Sequence, residues 1–207
     1  LGPNGAGKTT VFYMVVGFIT PTAVEVSLDG VEISSLPMYK RARLGIAYLP
    51  QEPSVFRRLS VEDNIRAVLE TRADITEERK RELRECRVDE FGAARLLRQK
   101  AYTLSVSEPP PTEIARALAL EPKFLLLDEP FAGIDPIAVH EIKGIVRRLS
   151  EAGIGVLITD HNVRDTLEIT HRAHIINLGN IVVSGNREEV LTSDKARNIY
   201  LGEEFLM

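Results

Sequence analysis

Gly2-Pro-Asn-Gly-Ala-Gly-Lys-Thr9 decides how this 207-residue chain is read. It fits the pattern of a glycine, four residues, then Gly-Lys-Thr, which marks a phosphate-binding loop. Glycines let the backbone wrap until successive N–H groups point at phosphate oxygens, and the helix that follows adds its positive dipole end. Gly2, Pro3, Asn4, Gly5, Ala6, Gly7, Lys8, Thr9 and Thr10 are therefore the expected nucleotide-binding residues. Lys8 should reach the β and γ phosphates, and the Thr9 hydroxyl should ligate Mg²⁺. The plain alternative is a glycine turn ahead of a helix, and a second motif argues against it.

That motif is Phe124-Leu-Leu-Leu-Asp-Glu129. Four apolar residues predict a buried strand that delivers Asp128 to its end, beside the glycine-rich loop. There Asp128 can hold Mg²⁺ through water, and Glu129 can act as general base on the attacking water. Paired carboxylates at this place are rarely structural, because burying an unpaired charge is costly. The two motifs together point to nucleotide hydrolysis.

The rest of the chain supplies an α/β frame. Short β-rich runs at Val24–Leu28, Gly45–Leu49, Phe124–Leu127, Val156–Thr159, His174–Leu178 and Ile181–Ser184 alternate with helical patterns. The helices are expected to start near Gly7, Val61, Glu77, Thr112, Pro136, Val163 and Arg187. This order predicts a P-loop α/β fold with a mostly parallel sheet. Between about Ser60 and Lys100 the β runs vanish and charged helical sequence takes over. An inserted helical subdomain, approximately 56–117, is expected between core segments 1–55 and 118–207.

Composition narrows the class. A hydrophobic share of 44% and a net charge of −4, with both signs interspersed, give no sign of a nucleic-acid partner. The single cysteine, Cys86, excludes an intrachain disulfide and reads as a small helical residue. The longest apolar stretch, Val11 to Ile19, is about half of the ~20 residues a membrane-spanning helix needs. Any membrane work would go through partner chains. Leu1 opens directly into the glycine-rich loop without an initiator methionine, which reads as a fragment lacking its N-terminal strands.

Three further elements follow in order: Gln51 after a strand, Ala132-Gly-Ile-Asp135 after the acidic pair, and Thr159-Asp-His161 at the end of the next strand. Gln51 can place an amide oxygen on Mg²⁺, and His161 can bond the γ-phosphate and orient water. With Leu104-Ser105 as a signature, this series resembles the ABC transporter ATPases along essentially the whole chain. The resemblance implies a homodimer that sandwiches two ATP molecules, each glycine-rich loop facing the partner's signature. Ser105, Glu108 and Asp135 would join the nucleotide site on that basis. Two transmembrane permease subunits would dock near Gln51, Phe56 and Arg57, on the cytoplasmic face of a bacterial inner membrane. An aromatic residue stacked on adenine would lie upstream of Leu1.

Within that family the chain resembles the ATPases of lipopolysaccharide export. The likeness rests on Leu36–Gly45, Tyr48–Ser54, Lys100–Leu104, Asp128–Gly133, Asp135–Val139, Ile158–Arg164 and Ile199–Phe205. ATPases of branched-chain amino-acid importers are the neighbouring alternative. A DNA-repair or translation ATPase would carry long coiled coils or a second ATPase domain, and this sequence has neither. A catalytically impaired binding module is the third reading, because the signature departs from its pattern. The family reads Leu-Ser-Gly-Gly, whereas this chain has Leu104-Ser-Val-Ser-Glu-Pro-Pro-Pro-Thr112. Consecutive prolines predict a late helix start, near Pro111 or Thr112. Pro21–Val26 also departs, since relatives carry a serine-glycine turn before that strand.

Overall fold

The computed structural model describes residues 1–90, 97–104 and 109–201. Helix α1 (Lys8–Val16) leaves the glycine-rich loop directly, capped by left-handed glycines, Gly7 and Gly17. Strands β1 (Ser27–Leu28) and β2 (Val31–Glu32) form an antiparallel hairpin across Asp29-Gly30, both at positive φ as a two-residue hairpin turn requires. Helix α2 (Met38–Arg43) leads into β3 (Ile46–Leu49). Helices α3 (Val61–Leu69), α4 (Glu77–Glu90) and α5 (Pro109–Leu118) precede β4 (Phe124–Asp128). Then come α6 (Pro136–Glu151), β5 (Gly155–Thr159), α7 (Val163–Ile169), β6 (Ala173–Asn177) and β7 (Asn180–Gly185). Two short helices, α8 (Arg187–Thr192) and α9 (Asp194–Ala196), run into a π-helical turn at Arg197–Leu201.

Strands β3, β4 and β5 form a parallel sheet with β4 in the middle. A strand covered on both faces needs apolar residues at every position, and Leu125, Leu126 and Leu127 are all buried. Side chains alternate across the sheet, so these leucines serve two cores. Leu125 and Leu127 pack with Ile114 and Leu118 of α5 and with Ile142, Ile145, Val146 and Leu149 of α6. Leu126 packs on the other face with Phe12 and Val16 of α1, together with Ile33 and Ile46. The glycine-rich loop is thereby carried to the C-terminal end of β4 on one face of the sheet.

Helices α3, α4 and α5 share a cluster of Ile65, Leu69, Leu83, Ala115 and Ala119. Helix α5 turns Ala115 toward this cluster, joined by Ala119 just past its end, and Ile114 and Leu118 toward the sheet. It is the hinge piece between helices and strands. Leu1 joins β6 instead: its amino group donates to the His174 carbonyl and its own carbonyl accepts from the Ile176 N–H, both at 2.8 Å. That is the bonding pattern of a parallel bridge.

Three local expectations change. Of Val24–Leu28 only Ser27–Leu28 pairs as strand, because its sole partner, β2, is two residues long. The short, basic run at 38–43 predicts no element, yet it forms α2. Helix α5 starts at Pro109, ahead of the expected Pro111 or Thr112. The first N–H groups of a helix have no intrahelical acceptor, so prolines there forfeit no helical hydrogen bond.

Candidate active site

The glycine-rich loop is fixed by close backbone approach and by one side chain, Lys8. Gly2 has φ 149°, and a Cβ there would lie 2.2 Å from the Ile176 carbonyl oxygen. Only glycine fits. Lys8 is buried, and its ammonium donates to the Gly2 and Pro3 carbonyls at 2.8 and 3.1 Å. The loop from Asn4 to Thr10, with Gln51 and Glu129, lines a cavity of about 370 Å³. Gln51 and Glu129, far apart in sequence, thus face the same space as Lys8 and Thr9.

Asp128 ends β4 in a buried position. One carboxylate oxygen accepts from the Thr159 hydroxyl of β5, and the other from the Tyr48 hydroxyl of β3 at 3.3 Å. Burial pushes the Tyr48 phenol well above its usual pKa, with the nearby Asp128 and Tyr13 adding to the shift. Glu129 takes a left-handed backbone, φ 50°, and its N–H donates to the Thr159 carbonyl at 2.7 Å. Such a conformation costs a non-glycine residue about 1–3 kcal/mol and persists where surrounding structure enforces it. It turns the Glu129 carboxylate toward Gln51, whose amide nitrogen donates to it at 3.0 Å. His161 Nδ1 lies 3.6 Å from the same oxygen, on an exposed ring.

The backbone around His161 is anchored by a residue that sequence reasoning passed over. Asp160 is fully buried and accepts from the N–H of Phe131 at 2.9 Å and of Asn162 at 2.8 Å. It ties the end of β5 to the loop after Glu129. The only signal in the sequence was its place in Thr159-Asp-His161. Tyr200 adds a second anchor, its hydroxyl donating to the His161 carbonyl at 3.1 Å. Helix α7 after His161 is held to α6 by Lys143, which bonds Asp165 at 2.9 Å and also Glu168.

Asp135 stands apart from this constellation. Its carboxylate caps α6, accepting from the Ile137 and Ala138 N–H groups at 2.9 and 3.0 Å. Ser105 and Glu108 lie outside the described residues. Phe56 is half exposed beneath the Arg116 guanidinium, 5.3 Å from its ring centroid, and the buried Asn64 bonds both its N–H and its carbonyl. Arg57 is exposed beside it, its carbonyl accepting from the Tyr102 N–H at 3.1 Å.

The donors available for a cation are the Thr9 hydroxyl, the Gln51 amide oxygen and the Asp128 carboxylate. All are hard oxygens, the donor set that suits Mg²⁺. Among the described residues no group of three or more His, Cys, Asp or Glu side chains could hold a metal by itself. One ligating carboxylate, Asp128, with two neutral oxygen donors fits a cation whose coordination is completed by water and substrate phosphates.

A glycine-rich loop opening a helix, beside a carboxylate pair at the end of a parallel strand, defines a P-loop nucleotide-hydrolysing cassette. The chain belongs to the ABC transporter family, which its residues 1–132 match. It is 51% identical, over 99% of its length and 85% of the relative's, to the lipopolysaccharide export system ATP-binding protein LptB of Haemophilus influenzae. The LptB of Escherichia coli K12 matches with the same identity and coverage. A probable ABC transporter ATP-binding protein of Azorhizobium caulinodans is 54% identical over 99% of the chain and 73% of its own length. Among solved structures, the ADP conformation of an ATP-binding cassette of an ABC transporter superposes with a TM-score of 0.85 at 27% identity, covering 98% of this chain and 86% of that one. The protein is an ATP-binding subunit of an ABC transporter, an ATPase of that type.

Proposed function

We propose that this subunit powers lipopolysaccharide export from a bacterial inner membrane, working as a homodimer on two transmembrane permease subunits at the cytoplasmic face. The observation that carries the reading is the 51% identity to two lipopolysaccharide export ATP-binding proteins over 99% of the chain. Among the described residues no helix is long and apolar enough to cross a membrane, which fits a subunit that acts through partners. The half-exposed Phe56, with its backbone clamped by Asn64 and Arg57 alongside, is the docking point we assign to those partners. A rigidly held aromatic beside a guanidinium has the makings of an interface anchor.

The geometry supports the following chemistry. Lys8 exchanges its two loop carbonyls for the β and γ phosphates of ATP, a charge-assisted contact stronger than the one it leaves. Thr9, Gln51 and Asp128 would hold Mg²⁺, which when bound neutralises charge developing on the phosphoryl oxygens. Glu129 takes the proton from the attacking water, and Gln51 releases it as the amide turns to its own task. His161, exposed and close to Glu129, orients that water and the γ-phosphate. Asp135, Ser105 and Glu108 serve a nucleotide shared between two copies of the chain.

Lys8→Ala is expected to weaken ATP binding at least tenfold, since the lost contact is worth about 2 kcal/mol. Unchanged affinity by calorimetry would remove Lys8 from the site. The export function is tested by complementation. An Escherichia coli strain depleted of its own lipopolysaccharide export ATP-binding protein should regain growth when given this chain. Failure to grow and to co-purify with the export permeases, despite stable expression, would overturn the export reading.

A further inference from the structure

We propose that Tyr48 is a positioning residue for the metal-holding carboxylate, its hydroxyl gripping one oxygen of Asp128 while Thr159 grips the other. The inference rests on the reading above that Asp128 serves Mg²⁺, and it adds a residue to which neither the motifs nor that reading gives a role.

The sheet register explains how Tyr48 reaches its target. Tyr48 of β3 pairs with Leu126 of β4, and Asp128 lies two residues further along, on the same face as Leu126. A long side chain spans that diagonal. Asp128 also pairs with Thr159 of β5. The central strand therefore delivers its carboxylate between two flanking strands, and each supplies one hydroxyl donor.

The ring is held as firmly as the hydroxyl needs. Phe12, Tyr13 and Phe18 meet it edge-on, with centroids 6.5, 6.5 and 6.0 Å away. Phenylalanine would pack among these rings equally well, so packing alone does not call for a phenol. An ordinary phenol is protonated near neutral pH, hence a donor to a carboxylate. A carboxylate anchored through one oxygen can still swing about that bond. Anchoring both oxygens fixes its plane and the lone pairs left for water molecules on Mg²⁺. Orienting partners of this kind commonly change metal affinity 10- to 100-fold when removed. At 3.3 Å the Tyr48 contact is long, which puts the expected effect at or below the low end of that range.

The test separates metal binding from nucleotide binding in the full chain. Mn²⁺ serves as a paramagnetic probe, titrated against protein with ATP, for the unmodified chain, Tyr48→Phe and Asp128→Asn. ATP binding is measured in parallel by calorimetry in chelator. Tyr48→Phe should weaken Mn²⁺ binding about three- to tenfold, leaving metal-free ATP affinity within about twofold. Asp128→Asn should weaken Mn²⁺ more, and adding Tyr48→Phe to it should change nothing further. If Asp128→Asn weakens the metal and Tyr48→Phe does not, the role of Tyr48 is refuted while the metal assignment stands. Equal loss of ATP affinity with and without metal would make Tyr48 a packing residue and overturn the proposal. If neither variant alters Mn²⁺ binding, the assignment of Asp128 fails and this inference falls with it.

Discussion

Glu129 carries the clearest conflict between local preference and function. A left-handed glutamate is disfavoured, yet that backbone brings its carboxylate to Gln51 and His161. Glu129→Gln keeps the shape and the backbone but removes the carboxylate proposed above as the general base. The expected outcome is ATP affinity within about threefold of the parent and turnover lowered at least a hundredfold, the range in which general bases contribute. Near-normal steady-state hydrolysis would remove Glu129 from that role. At this scale the sequence was informative where residues act through spacing along the chain. Lys8, Thr9, Asp128 and Glu129 lie in two short runs, and Gln51 and His161 follow strands at once. Tyr48 and Asp160 were not legible for a different reason. Their partners, Asp128 for one and the Phe131 N–H for the other, are set by strand register and loop packing.

Among the elements, α2 shows how a surface-looking sequence can conceal a structural anchor. Arg41 is buried to 1% exposure, and its guanidinium donates to the carbonyls of Leu36, Met14, Val15 and Ser34 at 2.6–2.8 Å. Met14 and Val15 lie in the last turn of α1, so the charge satisfies orphan carbonyls and meets the negative end of the helix dipole. Arg41→Met removes these donors from buried acceptors and should destabilise the fold by about 3 kcal/mol or more. An unchanged urea midpoint would show that the carbonyls find other partners. Met38-Tyr-Lys-Arg-Ala-Arg43 carries three cations, and nothing in its pattern tells the buried one from the exposed ones. By contrast, α6 was plain. Asp135 caps it, Pro136 takes its first position, and Ala138, Val139, Ile142, Ile145, Val146 and Leu149 trace one buried face. The same scale corrects the expected start of α5, where prolines mark the helix entry rather than postpone it.

For the whole molecule the open matter is the half-site that one copy would offer to the other. Helix α5 forms despite Pro109, Pro110 and Pro111, because the N–H groups they lack are those a helix start leaves unpaired. In an ABC dimer, those free donors, with the signature glycines, would meet the partner's γ-phosphate. The fold tolerates the prolines, but Pro109, Pro110 and Pro111 bring no N–H donors to that helix start. Val106 and Ser107, which lie outside the described residues, replace the two glycines of the pattern. A preorganised donor to a developing negative charge is worth about 3 kcal/mol, roughly a hundredfold in rate. Returning Val106 and Ser107 to glycine, and Pro109, Pro110 and Pro111 to arginine, should raise steady-state ATPase at least tenfold. ATP affinity of the monomer should hardly move if, as the family resemblance implies, the signature acts on the other copy's nucleotide. In a Glu129→Gln background the repaired chain should also sediment as a dimer with ATP, and the unrepaired chain should do so weakly. Equal hydrolysis rates and equal dimerisation would show that the altered signature does not limit the enzyme.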